Sequence, residues 1–327
     1  MVSYLIRRLL YAVALLAVAS VTSFLIIQLP PGDYLTSYIA QLQASGQAVD
    51  EARVEGLRRQ YGLDQPVWVQ YWLWIIGMPR GDFGFSFSRN RPVRSLIGER
   101  LGYSVLLSVL SLIVSYGLSV PIGIYSATHQ YSMGDYIASF IGFIGLATPG
   151  FLLALVAVFL AYKYLDIKPG GLFSAKYLTE PWSWPKFLDM AAHLPLPVII
   201  VGLAGTAGGI RVMRASLLDE LQKPYVMTAR AKGLRETQLL LKYPVRFALN
   251  PIASTIFYIF PAIVSGETLT GIVLNLPTVG PMLLESLLQQ DMYLAGSLIM
   301  FLTFMTVIGM FVSEILLAWL DPRIRYA

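Results

Sequence analysis

Long stretches without charged side chains recur along the chain, and they limit its possible folds more than any other feature. A helix needs roughly 20 apolar residues to cross about 30 Å of hydrocarbon. Only Glu267 and Glu314 interrupt six stretches that reach or approach this length, namely 9–29, 101–127, 136–162, 194–210, 251–276 and 293–320. We therefore predict an all-α integral membrane protein with six transmembrane helices.

The composition excludes several classes of protein. Only 13% of the 327 residues are charged and 56% are hydrophobic, whereas soluble domains carry about 25% charged residues. So few charges cannot cover a water-facing surface, which excludes a soluble globular enzyme, and so much apolar surface excludes disorder. The chain has no cysteine, which excludes a disulfide framework and a thiolate metal site. It also contains no Gly-Lys dipeptide and therefore no P-loop, so any ATP must be hydrolysed by another polypeptide.

Positive residues indicate how the chain is oriented. Both termini carry a pair of arginines, and the loop at 214–250 carries seven Lys or Arg, whereas the loop at 277–292 carries none. Because Lys and Arg accumulate in cytoplasmic loops, we predict that both termini and the 214–250 loop are cytoplasmic. Four lysines at 163–193 favour the opposite orientation, but the termini and the other loops agree on the predicted one, and we follow them.

The chain is predicted to divide into three segments. An A-x-A pattern at 17–19 lies inside the first apolar stretch, which favours an uncleaved signal anchor over a secretory signal. The segments are an N-terminal signal-anchor helix at 1–29, an extracytoplasmic segment at 30–100, and a core with five transmembrane helices at 101–327. Within the extracytoplasmic segment we expect a surface helix at 49–61, an interfacial aromatic segment at 66–76 and a turn at 81–84.

The cytoplasmic loop at 214–251 has an unusual pattern. Pro224 suits the start of a helix, Gly233 suits a left-handed C-cap with Leu234 just beyond it, and a second helix is expected at 236–248. The pattern predicts a helix–Gly–helix hairpin whose small residues let another surface approach closely. Its other interpretation is a basic loop that only sets the topology.

The segment Thr228–Leu234 (TARAKGL) resembles the cytoplasmic loop of ATP-binding-cassette (ABC) importer permeases, in the variant of the dipeptide/oligopeptide/nickel class. Shorter matching stretches follow in order along nearly the whole chain: GLDQP at 62–66, GDFG at 81–84, PGF at 149–151, HLP at 193–195, NP at 250–251, GET at 266–268 and DPRIR at 321–325. Each of them is weak alone, but in this order and between matching spans they are specific.

The resemblance implies a type I ABC importer permease fold, with an extracytoplasmic insertion after helix 1, in the prokaryotic cytoplasmic (inner) membrane. Its implied partners are a second homologous permease, two cytoplasmic ABC ATPase subunits, an extracytoplasmic substrate-binding protein and membrane lipid, but no nucleic acid. ATP and Mg²⁺ would be bound by the ATPase subunits, so this chain would hold no cofactor, metal or catalytic residue.

The resemblance also implies which residues couple the chain to the ATPase subunits. The surface that receives the ATPase subunit, here called the seat, would be formed by Ala229, Ala231, Gly233 and Leu234. Beside the seat would lie Tyr225, Arg230 and Lys232. Thr228 stands where the broader family has an acidic residue. The turn at 276–280 departs from the family pattern, because Thr278 stands where a glycine is expected. The cargo stays open among peptides, nickel complexes and oligosaccharides.

Glu267 and Thr268 are candidates for the translocation pathway. A carboxylate at the bilayer centre costs about 2.5–3.5 kcal/mol, so it should face protein or water. The favoured interpretation of Glu267 is a hydrogen-bonded structural residue at a helix break between Gly266 and Gly271. Arg211 and Arg214 either snorkel or take part in coupling. An alternative function is an ion-coupled secondary transporter with Glu267 as its coupling carboxylate, which inverted repeats would favour. We find no such repeats. His129 and His193 have no acidic partner at metal-ligand spacing and read as ordinary loop histidines.

Overall fold

A computed structural model gives the fold for residues 2–29, 34–44, 51–60, 62–165 and 170–320. The side chains of some helical residues within these ranges, those of 256–267 among them, lie outside that description. This part of the chain is almost entirely helical. One short hairpin pairs β1 (Phe85–Ser86) with β2 (Arg91–Pro92). The helices are α1 (Val2–Gln28), α2 (Tyr34–Ala44), α3 (Glu51–Gln60), α4 (Val67–Gly77), α5 (Val93–Thr128), α6 (Met133–Ala147), α7 (Gly150–Leu165), α8 (Trp184–His193), α9 (Pro195–Leu221), α10 (Pro224–Ala231), α11 (Glu236–Lys242), α12 (Pro244–Ala248), α13 (Asn250–Val273), α14 (Val279–Leu288) and α15 (Met292–Leu320).

The chain forms two compact units, and the first comprises residues 1–104 and 278–305. Its core is an aromatic cluster built from α1, α4, β1 and its turn, and the start of α15. The indole of Trp74 donates a hydrogen bond to Ser297 Oγ at 3.2 Å. A Cβ at Gly296 would lie only 2.9 Å from this indole, so glycine is required for the close approach. The predicted turn at 81–84 is confirmed, since Gly81 and Gly84 have φ of 75° and 80°.

The second unit comprises residues 105–277 and 306–327, and small residues bring α5 and α9 close together within it. A Cβ at Gly205 or Gly209 would lie 2.6 or 2.5 Å from the Oγ of Ser115 or Ser119, respectively. Where glycine faces serine, the backbones of two membrane helices can come into close contact, and van der Waals attraction then stabilises the pair. The glycine-rich composition of this predicted span therefore has a packing role.

The third predicted span, 136–162, is wrong as a single helix. The structure breaks it into α6 and α7, which meet at an angle of 100°. Thr148 between them is extended, with φ −98° and ψ 120°. The cause is Pro149, which disfavours a helical conformation in the residue before it and cannot donate a backbone hydrogen bond.

Four helical stretches of the described residues are long and apolar enough to cross a membrane, or five if the bent α6–α7 pair is one span. The four are Arg8–Gln28, Val93–Thr128, Trp184–Leu203 and Met292–Leu317. The third of them starts ten residues before the predicted 194–210. The fifth predicted span coincides with α13, whose middle side chains lie outside the described residues. The number of six spans and the three-segment division therefore stay predictions.

The segment 170–193 is tied together by its own polar contacts. Lys186 is buried, donates to the carbonyl of Glu180 at 2.6 Å, and lies 5.0 Å from the ring centre of Phe173. Asp189 accepts hydrogen bonds from the backbone N–H and the hydroxyl of Ser174, at 2.7 and 2.6 Å. At least one lysine of this loop thus serves local packing.

Candidate functional site

The predicted hairpin is present and begins with α10. Pro224 occupies the first turn of α10. Backbone N–H groups in the first turn have no partner within the helix, so the missing N–H of proline costs no hydrogen bond there. Gly233 adopts φ 77° and ends the helix. Its N–H bonds the carbonyl of Arg230 at 3.0 Å, and the N–H of Leu234 points at the carbonyl of Ala229 at 3.5 Å. This pair of bonds is the Schellman motif, so the predicted left-handed C-cap is confirmed.

The inner side of the hairpin is a small apolar cluster. Val226, Ala229 and Leu239 are its buried members, and three half-buried side chains pack against them: Tyr225, Leu234 and Tyr243. Two residues expected in the seat, Ala229 and Leu234, therefore hold the hairpin together from inside. The small size of Ala229 and the apolar side chain of Leu234 are explained by the close packing of α10 on α11.

The outer side of the hairpin consists of the exposed residues of α10 and its turn. Of the eight residues expected to couple the chain to an ATPase, five lie here: Thr228, Arg230, Ala231, Lys232 and Gly233. Two large apolar residues of the hairpin are also exposed, Met227 of α10 at 62% and Leu241 of α11 at 67%. The sequence spacing explains the exposure of Met227, because Val226 and Ala229 at i, i+3 form the inner face of α10 and leave Met227 outside it.

The second helix of the hairpin is shorter than predicted. The expected helix at 236–248 is wrong as a single element, because the structure divides it at Tyr243 into α11 and α12. Tyr243 has φ −117° and ψ −80°. Pro244 begins α12 and is the physical reason, since a proline inside a helix clashes with the preceding turn.

Two polar contacts fasten the hairpin. Arg230 donates to both carboxylate oxygens of Glu236, at 2.6 and 3.1 Å, and this ion pair across the turn lowers the pKa of Glu236. The hydroxyl of Tyr225 donates to Glu220 at the end of α9, at 2.5 Å. Partial burial and the nearby Glu220 raise the pKa of Tyr225, so this phenol stays a hydrogen-bond donor at neutral pH.

The hairpin is packed against the helices of the second unit through α12. Val245 and Ala248 of α12 belong to a buried cluster with Met213 and Leu217 of α9, Ala127 of α5 and Ile252 of α13. Arg246 donates to the carbonyls of Leu320 and Trp319 at 2.7 and 2.6 Å. A displacement of the hairpin would therefore reach α5, α9, α13 and the end of α15.

Arg214 has a partner that sequence reasoning missed. Its guanidinium forms two hydrogen bonds to the buried carboxylate of Asp135, each of 2.8 Å. The sequence pattern at this carboxylate, Ser132 and Asp135 three residues apart, indicates only the start of a helix. Ser132 Oγ indeed accepts a hydrogen bond from the Asp135 N–H at 3.2 Å.

The two pathway candidates lie near the end of α13. Thr268 is half-buried, whereas the side chain of Glu267 lies outside the described residues. A Cβ at Gly150, the first residue of α7, would lie 3.3 Å from Thr270 Oγ1, so α7 and α13 approach closely here. In the described part of the chain, no group of three or more His, Cys, Asp and Glu could hold a metal ion.

These features define a multi-pass helical membrane protein with a structured basic hairpin, as expected of a transport permease. The chain belongs to the family described as "Binding-protein-dependent transport system inner membrane component". The model of that family matches residues 119–326, and the model of its N-terminal part matches residues 1–108. The chain is therefore a membrane permease of a binding-protein-dependent transport system, and an ion-coupled carrier is not favoured.

Individual relatives match over the full length. The chain is 33% identical over 327 residues to the oligopeptide transport system permease protein AppB of Bacillus subtilis, covering 100% of both chains. It is 29% identical to the oligopeptide transport system permease protein OppB of Haemophilus influenzae, again covering 100% of both. It is 31% identical to the peptidoglycan transport system permease protein YejB of Agrobacterium fabrum, over 99% of this chain and 98% of that protein.

Proposed function

We propose that this chain is one of two homologous permease subunits in an ATP-driven importer of short peptides, in a prokaryotic cytoplasmic membrane. Two cytoplasmic ABC ATPase subunits bind ATP and Mg²⁺ and dock on the outer side of the hairpin, and an extracytoplasmic binding protein delivers the peptide. The chain itself carries no catalytic residue and works by alternating access.

The observation that carries this proposal is the full-length similarity to relatives whose names refer to oligopeptide transport. Similarity confined to the membrane helices would support only a transporter in general. Here it also includes the hairpin and the segment before residue 101. Short peptides are therefore the favoured cargo, ahead of nickel complexes and oligosaccharides.

The hairpin has the properties that a docking element needs. Its inner cluster and Schellman turn keep it rigid, while its outer side presents small residues flanked by Arg230 and Lys232. Force applied to the outer side passes through Tyr225 to Glu220 on α9, and through α12 to the buried cluster that includes Met213. The residues of this chain thus convert closure of the ATPase subunits into displacement of membrane helices.

The proposed topology has six spans in a type I importer fold, with both termini and the hairpin in the cytoplasm. Because the natural chain has no cysteine, single cysteines can be labelled without background. Thr228 and Thr179 are both exposed, so Thr228→Cys and Thr179→Cys form a matched pair. A membrane-impermeant maleimide should label Thr228→Cys only from the cytoplasmic side and Thr179→Cys only from outside, and the reverse pattern would contradict the orientation.

The function is tested by reconstituting the complex that co-purifies with the chain into liposomes, together with its binding protein. We expect a second permease and P-loop ATPases in the complex, and uptake of a radiolabelled library of short peptides that requires ATP inside. Uptake by the chain alone, driven by an ion gradient without ATP, would overturn the proposal and indicate ion-coupled transport through Glu267.

A further inference from the structure

One buried carboxylate connects four segments of the second unit. Asp135, in the first turn of α6, is 2% exposed. It accepts two hydrogen bonds from Arg214 of α9, one from the Ser126 hydroxyl of α5, and one from the backbone N–H of Tyr131 in the α5–α6 turn. A carboxylate offers roughly four lone-pair sites, so these four donors satisfy it completely.

Such a buried ion pair is a poor means of gaining stability. Removing two charges from water has a high desolvation cost, and well-packed apolar residues often give equal or greater stability. What the pair supplies is geometry, because two parallel bonds between the planar guanidinium and the carboxylate constrain their relative orientation. Asp135 and Arg214 therefore fix the position of the start of α6 relative to α9.

Apart from the ion pair, α6 packs extensively on α9, and small residues form part of that contact. A Cβ at Gly145 would lie 3.1 Å from the Cβ of Ala207, and one at Gly142 would lie 3.8 Å from the carbonyl of Ala207. Small residues let the two helices approach closely, where van der Waals contact stabilises the pair, whereas the ion pair adds a directional constraint at one end of the contact. An open apolar groove of about 410 Å³, lined by Ile137, Ile141 and Ile210 among others, leaves space beside α6.

The other end of α6 is separated from α7 by the break at Thr148 and Pro149, where the helices meet at 100°. Because the break removes the continuous backbone hydrogen bonds of one helix, α6 can move without carrying α7 as a rigid extension. The ion pair is thus the directional polar contact at the start of α6, a helix that packs on α9 through small residues.

Arg214 is also close to the hairpin along α9. It precedes Glu220 by six residues, or about 9 Å of helix. Glu220 binds both Tyr225 and Lys223, each at 2.5 Å. A displacement of the hairpin therefore reaches Glu220, then Arg214, and then Asp135.

We propose that Asp135 and Arg214 are positioning residues for transport, whose ion pair makes the start of α6 follow the end of α9 when the hairpin moves. The inference rests on the proposed ATP-driven function. Without the pair, the hairpin still receives the ATPase subunits and ATP is still hydrolysed, but α6 lags behind and less cargo crosses for each ATP.

The test compares Asp135→Asn with a matched control, Asp189→Asn, in the reconstituted complex. Both changes remove a carboxylate that is bonded to serine in the second unit, but Asp189 bonds within the 170–193 segment. The readout is the number of radiolabelled library peptides imported per ATP hydrolysed. A loss of folded protein lowers uptake and hydrolysis together and leaves this ratio unchanged.

We expect Asp135→Asn to lower the ratio about 2- to 30-fold, the range in which single residues change coupling between sites, and Asp189→Asn to leave it unchanged. An unchanged ratio in Asp135→Asn, or an equal fall in both variants, would overturn the inference. If Asp135→Asn fails to assemble, Arg214→Lys keeps the charge but loses the two-point bond. It should give a lower ratio, and a wild-type ratio in that assembled variant would equally overturn the inference. Failure of the proposed function would be distinct, because the wild-type complex would then show no ATP-dependent uptake.

Discussion

At position 233, the effect of side-chain size on ATPase docking can be separated from its effect on the stability of the hairpin. The φ of Gly233, 77°, is unfavourable for any residue with a Cβ, and the left-handed conformation costs roughly 1–2 kcal/mol. Among the described residues, nothing lies within 4 Å of a Cβ built at this position. Gly233→Ala and Gly233→Phe should therefore lose similar amounts of hairpin stability, because the larger side chain meets no neighbour within the chain.

A docked ATPase changes this expectation. If its surface closes over Gly233, the phenyl ring must be accommodated in the interface, and overpacking a close contact costs about 1–3 kcal/mol. That free energy corresponds to about 5- to 150-fold weaker binding. We therefore expect Gly233→Phe to bind the ATPase subunits far more weakly than Gly233→Ala, and to lose ATP-driven uptake in proportion.

The assay measures ATPase binding to the detergent-solubilised permease, with thermal unfolding of each variant as the control for folding. Gly233→Asn adds a second control, because asparagine tolerates the left-handed region and is small. Equal ATPase affinity in the Ala and Phe variants, with equal unfolding temperatures, would refute the reasoning that a partner approaches closely at this turn.

Three further changes test the structural account. Leu239→Ala should destabilise the hairpin by about 2–5 kcal/mol, because Leu239 is fully buried. Faster hydrogen exchange of the 224–242 amides would report this loss, whereas Leu241→Ala, at an exposed site, should leave exchange unchanged. The ion pair of Glu236 lowers its pKa, so its stabilisation is present above the ordinary value and is lost as the pH falls through the lowered value. The unfolding temperature should therefore fall less between pH of about 7 and about 3 in Glu236→Gln than in the wild type. An equal fall in both would contradict a stabilising role of the ion pair. Gly123→Ala would place a Cβ 2.6 Å from a methionine side chain of α9 and should cost about 1–3 kcal/mol. Gly117→Ala, with nothing described within 4 Å, should not, and equal unfolding temperatures for both would contradict the packing.

Local features of the hairpin could be predicted because a few neighbouring residues determine them. Pro224 and Gly233 mark the start and end of α10 through their own backbone preferences, and the structure confirms both. The breaks at Pro149 and Pro244 are equally local, because each proline interrupts an otherwise continuous apolar or helical pattern. Each break is caused by one proline, whose effect on the backbone is well understood.

Tertiary contacts could not be predicted in the same way. The roles of Ala229 and Leu234 depend on α10 folding back on α11, which places both residues inside the hairpin. Arg214 and Asp135 are 79 positions apart, and neither carries a sign of the other in the sequence. Long-range ion pairs depend on how helices pack, and hydropathy alone does not determine that packing.

The central claim is that the hairpin receives an ATPase subunit, and site-specific crosslinking tests it most directly. Because the chain has no cysteine of its own, a thiol-reactive photocrosslinker can be attached at a single introduced cysteine. Ala231→Cys places this reagent on the outer side of the hairpin, and Thr179→Cys is the control. We predict that Ala231→Cys forms an adduct with a P-loop ATPase in native membranes, that ATP changes its yield, and that Thr179→Cys forms none. Adducts of Ala231→Cys that contain lipid but no ATPase, in a complex that transports peptide, would contradict the account.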